Sequence, residues 1–263
     1  MEFQKPSASP IPSLDASLGA EGGVDPQIAP RGEARPVGDL NEDLALALLK
    51  HADVKAEEFE NLAANSSVMK RRKVRIAIAA HPRAPRHISL PLLRLLYTFD
   101  LMNVALTPAT PADIKRSAEE LLVNRLETIS SGEKMSLARR ASGRVAGRLL
   151  LDPDQRVMRA ALENPRLTEN LVVAAVVRRD STQQLVESVC RHPKWSARRE
   201  IRIALLRNDK TPLASALEYA RTLPVPMLRE ILQHSALPSA TRLYLQRTLA
   251  GRPTRPDSAS GAE

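Results

Sequence analysis

The chain is poor in aromatic residues and in cysteine, and it has no long uncharged apolar run. Three Phe, three Tyr and one Trp among 263 residues leave the core to Leu, Val, Ile and Ala, which suit closely approaching helices. The one cysteine, Cys190, excludes an internal disulfide and a cysteine metal cluster and agrees with a reducing compartment. No apolar stretch approaches the roughly 18 residues of a membrane span, and Met1 to Pro12 hold no signal-peptide core. A soluble cytoplasmic protein is the expectation. A Gly-rich phosphate loop, a Ser-His-Asp ordering and a His-x-x-x-His helix are also missing, so no enzyme, cofactor or metal is expected.

Acidic residues are outnumbered by basic ones in the body of the chain. Residues 1–38 hold three basic and five acidic residues and residues 252–263 two of each, so the net +9 of the whole chain becomes +11 on residues 39–251. Such a balance favours acidic partners, whether nucleic acid, an anionic surface or an acidic protein. The two ends mix Pro, Ser, Gly and Ala without periodicity, and are read as disordered arms over 1–38 and 252–263.

What is abundant is one kind of punctuation. Apolar helical runs stop at a polar residue able to bond backbone, often followed by proline: at His51, His81-Pro82, Thr107-Pro108, Asp152-Pro153, Asn164-Pro165, His192-Pro193, Asn208 and His234. Thr110-Pro111 and Thr211-Pro212 supply helix starts, and Thr168-Glu169 resembles them. The pattern predicts about fourteen helices joined by short turns. The marks recur irregularly, 30 residues apart from His51 to His81 and 26 from His81 to Thr107; a longer helix pair over 111–150 is expected in the wider gap. Repeated helices that cannot bury their apolar faces alone predict an all-α superhelix of about seven helix pairs over 39–251.

Helix, Asn/His-Pro turn, helix, as in Val157 to Thr168, resembles the HEAT-like and leucine-rich-repeat-variant solenoids of bacteria. That resemblance implies a HEAT/armadillo-like α-solenoid. The iron–sulfur cluster of some leucine-rich-repeat-variant proteins needs an N-terminal cysteine group, which this chain lacks. Some HEAT-like bacterial proteins are DNA glycosylases; no motif matches theirs residue by residue, so no catalytic position carries over.

His51, His81, His192 and His234 are read as one slot at the end of each unit's first helix, where a side chain donates to the orphan carbonyls of its own last turn. Recurrence argues for turn geometry over chemistry. His87 is read as solvated. The close carboxylates Glu119-Glu120 and Asp152/Asp154 are read as surface or capping features. Trp195 either stacks a base or fills a gap between units. Two basic clusters are candidates for binding: Arg140, Arg144 and Arg148, at i, i+4 and i+8 of one helix opposite Leu137, Ala141, Val145 and Leu149; and Arg198, Arg199 and Arg202 after Pro193. Together they form either a phosphate-binding surface or a solvated face balanced by Glu119, Glu120, Glu127, Glu187 and Glu200. The leading expectation is a non-enzymatic scaffold for an unidentified protein partner. Nucleic-acid binding is the alternative, and a glycosylase-like enzyme the third.

Overall fold

The computed structural model describes residues 41–250, with side chains as far as residue 248; the arms expected at 1–38 and 252–263 lie outside the described residues. All regular structure among the described residues is helical. The helices are α1 (Glu42–Leu48), α2 (Ala56–Ala64), α3 (Ser66–Met69), α4 (Arg72–Ala80), α5 (Arg86–Arg94) and α6 (Thr98–Leu106). They continue with α7 (Ala112–Arg125), α8 (Ser131–Arg140), α9 (Gly143–Leu149), α10 (Gln155–Leu162), α11 (Glu169–Val177) and α12 (Gln183–Arg191). The last are α13 (Pro193–Ser196), α14 (Arg199–Arg207), α15 (Leu213–Thr222), α16 (Val225–Gln233) and α17 (Ser239–Ala250). No helix of the described residues is long and apolar enough to cross a membrane.

Contacts between helices run in two rows. One is unbroken: α2 touches α5, and the series continues through α7, α9, α11, α14 and α16. In the other, α1, α4 and α6 pack in turn, as do α8, α10 and α12, and α15 packs on α17. The Tyr219 hydroxyl of α15 donates to the Cys190 carbonyl of α12, joining two of those groups. Each helix thus uses its neighbours in both rows to bury one stripe. Val157, Ala161, Leu185, Val189, Ile201 and Leu205 are fully buried, and the last four fall at helical spacing in the sequence.

Several punctuation residues tie successive units of one row together in a way the sequence did not suggest. In His81, Asn164 and Asn208 the acceptor atom takes the backbone N–H two residues on: Arg83 N–H donates to His81 Nδ1 (3.1 Å), Arg166 N–H to Asn164 Oδ1 (2.8 Å) and Lys210 N–H to Asn208 Oδ1 (2.8 Å). The donor atom then reaches back one unit to an orphan carbonyl at the end of the preceding helix in the same row. His81 Nε2 donates to His51 O (3.2 Å), Asn164 Nδ2 to Ala138 O (2.7 Å), and Asn208 Nδ2 to Val176 O (2.7 Å). Ser235 does the same with one hydroxyl, donating to Leu206 O and accepting from Leu237 N–H. Only Thr107 and His234 bond back to their own helices, at Asn103 O and Glu230 O, as expected for such positions.

Two expectations are corrected. The marks do not all close a unit's first helix: His51, His81, Asn164 and His192 end helices of one row, while Asp152, Asn208 and His234 end helices of the other. Residues 111–150 form three helices, not a pair, because the chain turns extended at Ala141 and Ser142. The apolar period hid the break. Leu137, Ala141, Val145 and Leu149 are all buried, although the first two belong to α8 and its cap and the last two to α9.

Candidate functional site

The break in 111–150 divides the arginine stripe. Arg140 ends α8, whereas Arg144 and Arg148 lie on α9, and Arg198, Arg199 and Arg202 stand at the start of α14, with α11 between α9 and α14 in their row. Several are engaged within the chain. Arg144 Nη2 lies 3.2 Å from Glu120 Oε1; Arg202 Nε donates to Ser196 O at 2.7 Å, its guanidinium 5.6 Å from the Tyr219 ring centroid. Arg199 approaches Met227 Sδ at 3.2 Å. Arg144 and Arg148 do border a groove of about 340 Å3 with Glu120, Leu171 and Arg178. There Arg178 is paired to Asp180 at 2.8 Å, and that bond holds the Asp180 carboxyl below the usual carboxylate range.

A larger groove, of about 750 Å3, lies across α8, α10 and α12. Its cations were not among the sequence candidates: Arg139 from α8, Arg156 and Arg159 from α10 and Arg191 from α12. Its apolar lining includes Met135, Ala160, Leu162 and Pro193. The geometry follows from helical phase. Val157, Met158 and Ala161 of α10 face inward, which turns Arg156, Arg159 and Glu163 to solvent at i, i+3 and i+7. Ala160, small and nearly buried, leaves a depression between them.

The charges at this groove differ in their attachments. Arg156 binds Asp154 two residues before it (Nη2 to Oδ2, 3.2 Å), and Arg191 binds Glu187 on its own helix at 2.9 Å. Arg139 and Arg159 form no ion pair among the described residues. Glu163 accepts from His192 Nε2 at 3.1 Å, while His192 Nδ1 accepts from Lys194 N–H. Both bonds call for the Nε2–H tautomer. Asp154 caps α10 through Arg156 N–H and takes the Ser131 hydroxyl at 2.7 Å. Ser131 first, then Arg156, hold its carboxyl well below the usual range. The Asp152/Asp154 pair is therefore a capping feature: Asp152 accepts from Asp154 N–H and pairs with Lys134 at 2.9 Å.

Trp195 is not a stacking platform as placed. It is 2% exposed, its indole N–H donates to Leu162 O at 2.9 Å, and Lys194 Nζ sits 4.1 Å from its ring centroid. Of the other aromatic residues, Tyr219 is buried, while Tyr97 is 64% exposed and stacked under Arg72. Among the described residues no three His, Cys, Asp or Glu side chains gather as a metal-binding group. No protein-family model matches the chain, and neither does any curated protein or solved structure.

Proposed function

We propose that the chain is a non-enzymatic interaction scaffold of HEAT-like architecture, acting in the cytoplasm on a protein partner. The groove across α8, α10 and α12 carries this reading. Its helices are held at their ends by buried bonds, Asn164 to Ala138 O between α10 and α8 and Trp195 of α13 to Leu162 O of α10, so the backbones that carry its cations are fixed. A preorganised surface loses less side-chain and backbone freedom on binding than a loop does. The residues around the groove are binding types, guanidinium and apolar groups; Glu163 and His192, the one acid–base pair there, are spent on each other and on a helix cap.

The second reading is nucleic-acid binding through Arg140, Arg144, Arg148, Arg198, Arg199 and Arg202. Arg148 and Arg178 bordering one groove favour it; the carboxylates of Glu120 and Asp180 beside them weigh against it. Affinity capture from native lysate, with and without nuclease, separates the two. Proteins retained after nuclease treatment are the expected outcome. Retention of nucleic acid alone, with an affinity for random duplex that falls steeply with salt, or no retained protein at all, would overturn the scaffold reading.

A further inference from the structure

The groove across α8, α10 and α12 has a composition that narrows the class of its occupant. We infer that it takes an acidic peptide segment carrying apolar side chains among its carboxylates. This rests on the scaffold reading and specifies the ligand of that same site.

Length comes first. Helices in contact stand about 8–10 Å apart, so the path from α8 over α10 to α12 is about 20 Å, which about six extended residues span at ~3.3 Å each. Charge comes second. Arg139 and Arg159 are exposed, without an ion pair among the described residues, and each presents a planar fork that matches a carboxylate with two parallel N–H bonds. Arg156 and Arg191 already hold Asp154 and Glu187. The groove thus asks for a few carboxylates at set places, and the resident acids Asp154, Glu163 and Glu187 disfavour a continuous polyanion.

The lining decides between peptide and nucleic acid. Met135 and Pro193 offer an apolar surface between the guanidinium groups, over a floor closed by the buried Ala160 and Leu162, with methionine the side chain best able to reshape around a guest. A sugar–phosphate backbone gains little from such a surface. A base would gain from aromatic faces, yet the His192 ring at the groove is held by Glu163 and Lys194 N–H, and Trp195 three residues on is buried with its N–H engaged. A peptide with Leu or Met beside its Asp and Glu uses both parts of the lining.

The test uses the full chain and a fluorescein-labelled peptide of about eight residues, Glu and Asp alternating with Leu and Met. Three other probes accompany it: the same peptide with Gln and Asn for the acids, the same with Ser for the apolar residues, and a single-stranded oligonucleotide of about twelve nucleotides. The acidic-apolar peptide should bind at least about tenfold more tightly than each of the other three. R139E combined with R159E should weaken it about tenfold or more, and R139Q combined with R159Q should do so less steeply while keeping the thermal midpoint. Equal binding of the Ser-substituted peptide, tighter binding of the oligonucleotide, or no effect of either double variant would overturn the inference. Should capture from lysate still retain protein partners in that event, the scaffold reading stands with another surface as its site; should capture fail as well, both fall.

Discussion

The Asn164 side-chain amide stands 2.7 Å from the carbonyl oxygen of Ala138, 26 residues earlier, and Asn164 is wholly buried. The same amide reaches Ala141 O at 3.1 Å while its oxygen takes Arg166 N–H. One side chain therefore satisfies the end of α8, the break before α9 and the turn after α10. Asn164→Ala leaves these groups without partners in a site closed to water, and leaving a buried polar group unsatisfied costs about 1–3 kcal/mol. A loss of about 2–4 kcal/mol is expected, read as a lower denaturation midpoint at unchanged m-value.

His81 tests whether the slot is about turn geometry or imidazole chemistry. Its Nδ1 accepts and its Nε2 donates, two tasks that an Asn performs at 164 and 208. His81→Ala should cost about 1–2 kcal/mol, whereas His81→Asn should recover more than half of it. Equal losses in chemical denaturation would show that the ring, packed 4.9 Å from the Phe59 ring by centroids, matters through its volume instead.

Gly143 opens α9 in a close approach. A Cβ built there would lie 2.3 Å from the Arg166 carbonyl oxygen and 3.3 Å from Leu171 Cδ1. Since the first obstacle is backbone, Gly143→Ala must displace the α10–α11 turn, and overpacking of this kind costs about 1–3 kcal/mol. At Gly147 the nearest atoms belong to the Leu171 side chain, at 3.3 Å. Gly147→Ala should be the milder of the two, as thermal melts of the pair would show.

Asp100 is 1% exposed on α6 and receives a bidentate pair from Arg72 of α4, Nε to Oδ2 at 2.8 Å and Nη2 to Oδ1 at 2.6 Å. Arg72 is half exposed, so solvent screens part of the attraction. Removing it still strands a carboxylate in the core without its bidentate partner. Arg72→Met should lower the denaturation midpoint, and Arg72→Met combined with Asp100→Leu should be more stable than Arg72→Met alone. A double variant no better than the single one in urea titrations would contradict this account.

Asp154 and Cys190 give opposite titration tests. Ser131 and Arg156 depress the Asp154 carboxyl, so its contribution is complete above the ordinary carboxylate range and fades as pH falls through its lowered folded value. Ser131→Ala should move the Asp154 titration, followed by NMR, upward. Burial pushes the Cys190 thiol up, so less thiolate is present than at an ordinary cysteine. Reaction with an aromatic disulfide reagent at pH 8 should be slower than for a free thiol.

Sequence alone determined the helical character of this protein and the ends of many of its helices, because those are local matters. Thr110-Pro111 and Thr211-Pro212 stand immediately before α7 and α15, and inward stripes such as Leu185, Val189, Ile201 and Leu205 are buried. Helical period depends on phase and not on continuity, so it ran straight through the break at Ala141 and Ser142. Tertiary structure decided the rest. Whether a polar mark bonds its own helix, as Thr107 does, or the previous unit, as Asn164 does, depends on which carbonyl the stacking brings within reach. The exposed stripe of Arg156, Arg159 and Glu163 follows from the phase of α10, although it was not among the candidates drawn from the sequence. That Arg139 and Arg191 stand on either side of it was not legible in the sequence, since a groove belongs to three helices whose neighbours are chosen by packing between residues about 20–50 positions apart.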